Sequence, residues 1–312
     1  TDRQLKEARL PSSRTSRLFH YGSLAAGLGW GALQETVKRA TGLSTTQGPV
    51  FINEANADRL VAKLSQMRGA ALKLGQMLSI QDNHAFTKEL SRILVRVQNS
   101  ANYMPPRQMT KAMVVELGPA WREQPRLVAF DDVPFAAASI GQVHAAIVDL
   151  AQDLGLSAFD HQRLVHRAAR LPPQAKVVGQ SAAAPNPTEP TDHWLPVAVK
   201  VQYPGVADSI SNDLDQLKSL LVVSSFLPKG LYLDKTIAAA RRELAWETDY
   251  QREAECIHQF QALLRDDPDF VVPTVIPALS SHRVLTTERL YGYHLASVAE
   301  MDQPTRDWVR TC

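Results

Sequence analysis

The chain has 312 residues, 45% hydrophobic and 21% charged, which fits a globular protein of one large domain or two ordinary ones with a real core. A formal net charge of only +2 gives no footprint of a general nucleic-acid binder, so no nucleic-acid partner is expected. Cys256 and Cys312 lie far apart and form no spaced motif, which argues against a disulfide scaffold or a structural zinc site and for a reducing compartment.

The chain opens at Thr1 rather than methionine and stops at Cys312 behind a helix-like tail, so it is expected to be cut from a longer protein. Residues 1–20 set Arg3, Lys6, Arg9, Arg14 and Arg17 against Asp2 and Glu7. This reads either as a basic arm for an anionic membrane surface or as a solvated terminus. Tyr21 to Leu33 carries Gly22, Gly27, Gly29 and Gly31. It falls short of the roughly 18–20 apolar residues that span a bilayer, and suits resting on a membrane or packing against another helix, a second copy of the chain included.

Residues 56–80 predict a helix, with Leu60, Leu64, Met67, Ala71, Leu74 and Leu78 at steps of three and four. Lys73 and Gln76 lie off that stripe on a second face shared by Gly69, with Gly75 between them in sequence. Each glycine inside a helix costs up to ~1 kcal/mol against alanine, so something is expected to pack close to the backbone there. The plain alternative for Lys73 and Gln76 is a solvated face. Helices are also expected over 86–98 and over 105–117, the latter stopped by Gly118-Pro119.

Residues 126–148 change to strand–loop–strand, with Ala136-Ala137-Ala138-Ser139-Ile140-Gly141-Gln142 at the turn. In a phosphate loop glycines are expected there, and alanine resists positive φ and keeps a Cβ near the ligand. A plain hairpin and a modified phosphate loop are both open. Residues 151–195 read as a surface insertion rich in proline, alanine and serine, with a helix at 158–170 and disorder after it. Leu195-Pro-Val-Ala-Val-Lys-Val-Gln-Tyr-Pro204 then predicts a short strand. Val197, Val199 and Val201 share one face, and Ala198, Lys200 and Gln202 the other. Lys200 is either an edge-strand guard or a kinase-type phosphate-binding lysine.

A helix is expected from Val206 to 226, then one long helix from Leu233 to Leu264 with Asp234 as N-cap. In a regular helix Asp249 and Glu253 share a face, and Glu247 stands about 200° away from Asp249. A salt-bridged solvated helix is the plain reading of this charged run. Short strands are expected at 270–276 and 283–288, a connector at Leu290-Tyr-Gly-Tyr-His294, and helical structure over 294–301 and 303–310.

Lys73-Leu-Gly-Gln76, Ala136-Ala-Ala-Ser-Ile-Gly-Gln142, Val197-Ala-Val-Lys200 and Glu247-Thr-Asp249-Tyr-Gln-Arg-Glu253 stand in an order that resembles the UbiB family, the atypical kinase-like proteins of coenzyme Q biosynthesis. The resemblance covers about residues 10–150 and 195–300. Pro11 to Leu18 and Tyr21 to Ala26 look like its mitochondrial eukaryotic branch. It implies an α+β fold: a protein-kinase-like N-lobe, with an antiparallel sheet and an αC-type helix, preceded by a helical N-terminal extension. The implied division is a basic, glycine-rich segment over 1–55, the extension over 56–125, the N-lobe over 126–294 and the start of a truncated C-lobe over 295–312. Lys200 is implied to hold nucleotide phosphates and Glu253 to be its ion-pair partner. Ala136, Ala137, Ala138 and Ser139 would line the nucleotide, and Glu288 to Tyr291, Leu290 included, would hold adenine as the hinge. Lys73, Gly75 and Gln76 would lie across the active site and meet Glu247 and Asp249, with Asp249 the nearer of the two to Lys200.

The implied cofactor is ATP or ADP with Mg2+. No metal ligand is identifiable in this chain, because no catalytic-loop aspartate, later asparagine or Asp-Phe-Gly follows Glu288, and the ligands are expected in an absent C-lobe. The implied partners are nucleotide, inner-membrane lipid and coenzyme Q biosynthesis proteins, on the matrix side of the mitochondrial inner membrane. Two other readings stand beside this one: a nucleotide- or lipid-binding scaffold without turnover, and an inactive fragment.

Overall fold

The computed structural model describes residues 102–123, 126–176, 191–223, 233–293 and 295–311, with Lys6, Glu7 and scattered positions, mostly helical, between 22 and 73. The expected helix at 86–98, the apolar stripe from Leu60 to Leu78, Gly75, Gln76 and the stretch after Lys176 that was read as disordered lie outside the described residues. The chain divides into two compact units. The first is Thr1–Pro119, Asp132–His144 and Lys200–Asp249, and the second is Ala120–Asp131, Ala145–Val199 and Tyr250–Cys312.

In chain order the elements are β1 (Lys6–Glu7), β2 (Asn102–Tyr103), α1 (Pro106–Leu117), β3 (Leu127–Phe130), β4 (Ala136–Ala137), β5 (Gly141–Asp149), α2 (Ala158–Arg170), β6 (Trp194–Gln202), α3 (Val206–Val223), α4 (Leu233–Glu247), α5 (Tyr250–Leu263), β7 (Val284–Glu288) and α6 (Gln303–Thr311). The main sheet has the order β3–β5–β6–β7, with β4 also pairing β5. The β3–β5 and β4–β5 pairings are antiparallel. The fold is mixed helix and antiparallel sheet.

In the first unit, α1 starts at Pro106, where a missing N–H costs nothing, and buries Met109 and Met113. Gly118 ends it at φ 90, a conformation that glycine adopts freely, and its N–H caps the Val114 carbonyl. Helix α3 buries Val206, Ile210, Leu214 and Leu217, and α4 buries Leu233, Ile237, Ala240 and Leu244, both at steps of three and four. The two helices pack on each other and are laced by Arg241–Asp215 at 2.9 Å and Lys218–Asp234 at 2.5 Å. Asp234 therefore lies in the first turn of α4, paired to Lys218, and is not the N-cap that the sequence suggested.

In the second unit the core gathers Ala129, Ala145 and Ile147 with Val128 and Trp194, beside buried Val197, Val199, Leu164, Tyr250, Val284 and Leu285. Trp121 meets Phe130 edge-on at 5.0 Å between ring centroids. Helix α2 of the insertion is capped by Ser157, whose hydroxyl accepts the Asp160 N–H, and ends with Arg167 and Arg170 at the negative pole of the helix.

Two further expectations are corrected. The span 233–264 is two helices, broken at Thr248 and Asp249. The Thr248 carbonyl is taken by the side-chain amide of Gln202 at 2.8 Å, and the Thr248 hydroxyl turns back on the Leu244 and Ala245 carbonyls, so the ladder stops there. The angle reckoned around a regular helix does not apply across this joint. The segment 270–276 is no strand beyond a single bridge, Val275 to Thr287. Pro273 has no N–H to give a ladder, and pairing with β7 is confined to Thr274 and Ile276.

Two of the four glycines of the N-terminal stretch, Gly27 and Gly31, have neighbours within the chain, and Gly22 and Gly29 have none within 4 Å of a Cβ. A Cβ on Gly31 would fall 2.1 Å from Oδ1 of buried Asn56, and the Gly27 carbonyl accepts from Arg59 at 3.2 Å. Among the described residues no helix is long and apolar enough to cross a membrane.

Candidate functional site

The first unit holds most of the residues singled out from sequence. Ala136 and Ala137 are strand residues, registered against Val143 and Gln142, and Ala138 donates its N–H to the Gly141 carbonyl at 2.8 Å. The alanine run is thus a tight hairpin, with one turn amide already committed. Buried Gln142 fixes its base, accepting the Met104 N–H at 2.8 Å and meeting His144 at 2.8 Å.

Gly69 packs against this turn. A Cβ placed on it would meet Ile140 at 3.3 Å, Val206 at 3.4 Å and the Ser139 carbonyl at 3.8 Å. This is the close backbone approach expected of a helical glycine. Gly69→Leu should push the helix off the hairpin and lower stability by about 1–3 kcal/mol, the usual cost of overpacking. Thermal unfolding checks this, and a melting temperature equal to wild type would show that the contact is dispensable.

One turn beyond Gly69, Lys73 reaches α4. Its ammonium is bonded to Glu247 and lies 2.9 Å from Glu243. The two carboxylates are four residues apart and so share one helix face. Burial works to lower the Lys73 pKa, and the hydrogen bonds and charges of Glu247 and Glu243 outweigh it, leaving it above the ordinary lysine value. The ammonium is therefore charged at every physiological pH. Glu247 was expected from sequence. Glu243 was missed, although its spacing to Glu247 would have found it. Asp249 stands past the end of α4, half-buried, its N–H bonded to the Trp246 carbonyl.

Lys200 sits on β6 between buried Val199 and Val201 and is half-buried, as Ala198 is. The three valines face the core, as the alternation predicted. Gln202 does not follow it into solvent: it is 3% exposed because it pins the Thr248 carbonyl.

The second unit holds the rest. Glu253 lies in the first turn of α5, half-buried. Glu288 closes β7 and is buried, and Leu290 after it is 40% exposed. Glu288 does more than precede a connector: its carboxylate is bound by Arg167 of α2 at 2.9 Å.

Lys200 supplies a cation on β6, and the alanine hairpin belongs to the same compact unit. Among the described residues no group of three or more His, Cys, Asp or Glu side chains could hold a metal ion.

The model of the ABC1 atypical kinase-like domain matches residues 96–153 and 190–310. "Atypical kinase COQ8, mitochondrial" of Saccharomyces cerevisiae is 44% identical over 306 residues, covering 98% of this chain and 52% of that protein. "Atypical kinase COQ8B, mitochondrial" of Danio rerio is 40% identical, covering 97% of this chain and 42% of that protein. "Probable protein kinase UbiB" of Xylella fastidiosa is 26% identical, covering 81% and 38%. A solved Mycobacterium tuberculosis protein in complex with erythromycin aligns at TM-score 0.43 and 25% identity over 82% of this chain and 54% of its own, which adds nothing to the assignment. The chain spans about half the length of the curated relatives it matches. Since the family model covers more than half of the chain, on both sides of the insertion, the chain belongs to the ABC1 atypical kinase-like family that the order of its Lys-Leu-Gly-Gln, alanine and lysine motifs resembled.

Proposed function

We propose that this chain carries the N-terminal extension and the N-lobe of a kinase-like ATPase that binds ATP or ADP with Mg2+ and supports coenzyme Q biosynthesis on the matrix side of the mitochondrial inner membrane. Family membership and the mitochondrial kinases among its relatives support this reading. The observation that carries it is the grip of Glu243 and Glu247 on Lys73, which seats the extension in the same compact unit as Lys200 and the alanine hairpin.

In this reading Lys200 holds phosphate as a point charge, and Ala136, Ala137, Ala138 and Ser139 form the lip of the nucleotide site. The alanine Cβ atoms stiffen that lip. Lys73, Gly75 and Gln76 belong to a segment that excludes bulky protein substrates, locked by Glu247 with Glu243, and Asp249 ends the locked helix. Glu253 is the acidic member of the kinase pattern, and Glu288 with Leu290 contributes the adenine edge. Mg2+ would shield the phosphates. Among the described residues no group of three or more His, Cys, Asp or Glu side chains gathers to hold it. Nucleotide is the first partner, with inner-membrane lipid and coenzyme Q biosynthesis proteins as the others.

The test is rescue of yeast cells lacking their 44%-identical relative. The full-length protein should restore coenzyme Q content and respiratory growth, and its Lys200→Ala variant should not. Full rescue by Lys200→Ala would end the enzymatic reading.

A further inference from the structure

The family match stops at residue 153 and resumes at 190, so α2 and the one-turn helix Pro173–Lys176 fall between its two matched segments. Within the second unit this stretch is nonetheless bound to the family core. His161 meets the Leu150 carbonyl at 2.8 Å, and the Arg163 guanidinium donates to the Thr274 hydroxyl. Arg167 Nη1 lies 2.9 Å and 3.1 Å from the two carboxylate oxygens of Glu288. The Tyr291 hydroxyl donates to the Ala175 carbonyl at 3.2 Å. Three of these four contacts land between Thr274 and Tyr291, on β7 and its flanks.

The Glu288 side chain is only 4% exposed. A buried carboxylate with no countercharge is costly, and outside the insertion Thr274 offers Glu288 only a neutral donor, its N–H at 3.4 Å. The countercharge comes from the insertion. A cleft of about 490 Å³, lined by Arg167, Arg170, Glu288, Arg289 and Tyr291 among others, lies alongside this pair.

We propose that the insertion braces the end of β7: Arg167 is a positioning residue that neutralises Glu288 and fixes the backbone of Glu288 to Tyr291, so that the insertion sets how firmly this segment holds the adenine edge of a nucleotide. The nucleotide clause rests on the function proposed above, and the brace itself does not.

The groups acting on Glu288 are Arg163 and Arg167 of α2 and the Thr274 N–H and hydroxyl, and the neighbouring Arg289, which lines the same cleft, stands over the Tyr291 ring. Burial pushes the Glu288 pKa up, and Arg167, Thr274 and Arg163 pull it back only in part, so it stays above the ordinary carboxylate value. Without Arg167 it rises further. A raised carboxylate pKa means that the folded state is favoured at low pH and loses ground as pH climbs through the shifted range. The damage from losing Arg167 is therefore least in acid and greatest at alkaline pH.

The experiment is hydrogen exchange of the full-length protein with and without Mg-ADP. In Arg167→Ala the protection factors of residues 288–291 should fall about tenfold at pH 8 and much less at pH 5, because opening of a local segment sets them. Arg167→Lys should restore most of the protection, and Arg170→Ala should leave it alone. If Arg167→Ala folds poorly, the double variant Arg167→Met/Glu288→Gln, which removes both charges, should regain protection. Protection within twofold of wild type in Arg167→Ala, no rescue by lysine, or no recovery in the double variant would each overturn the brace. A wild-type protein with no added protection from Mg-ADP at 288–291 would overturn the nucleotide clause alone.

Discussion

Lys200→Ala is expected to weaken Mg-ADP binding about thirtyfold, since a charge-assisted contact to phosphate is worth about 2 kcal/mol and each 1.4 kcal/mol is tenfold. The fold should survive. Lys200 lies on the face of β6 opposite Val197, Val199 and Val201, so the substitution removes no core side chain. Calorimetric titration gives the affinity and a thermal melt gives the control. An affinity within threefold of wild type, in a protein that melts normally, would remove Lys200 from the phosphate site. Arginine should rescue poorly, because a planar fork does not replace a compact ammonium on a short reach.

Lys73→Glu carries the second large effect. It sets a third carboxylate against Glu243 and Glu247, which are 40% and 34% exposed. Breaking a fully buried pair costs about 3–5 kcal/mol, but solvent screening at this exposure brings the expected loss to about 1–2 kcal/mol. For a protein of this size that is a drop of about 2–3 °C in melting temperature. The charge swap Lys73→Glu/Glu247→Lys should recover most of it, and a swap that recovers nothing would mean that the pairing is incidental. Because the Lys73 pKa sits above the ordinary lysine value, its contribution is complete below that range and lost only as pH climbs past it. The deficit should be flat from pH 6 to 9.

What could be read from the residues depended on range. The alternation of valines in β6, the Pro106 start and Gly118 stop of α1, and the 158–170 helix inside the insertion are local signals, and each stands where the pattern put it. The close approach at Gly69 was legible because a helical glycine off the apolar stripe needs a neighbour, although the sequence could not say that the neighbour was the alanine hairpin. The joint between α4 and α5 was not legible. Nothing in Glu247-Thr-Asp249-Tyr breaks a helix by propensity, and the break comes from Gln202, distant in sequence, taking a carbonyl. Glu243 stands outside the Glu247-Thr-Asp249 motif, and only its i, i+4 spacing to Glu247 marks it in the sequence. Arg167 on Glu288 was invisible for the same reason as Gln202: the contact joins residues more than 100 positions apart.

The stem of the insertion has a further consequence. The Leu150 N–H donates to the His193 carbonyl at 2.9 Å, closing β5 onto β6 before the chain departs and after it returns. To the sheet, everything between is one closed loop, whatever its length. Closing a loop twice as long costs only about 0.6 kcal/mol more. The register of β6, and with it the face on which Lys200 stands, is thereby insulated from insertions and deletions over 154–189. Length can change there without moving that strand, whereas composition is constrained at Arg163 and Arg167, which bind Thr274 and Glu288.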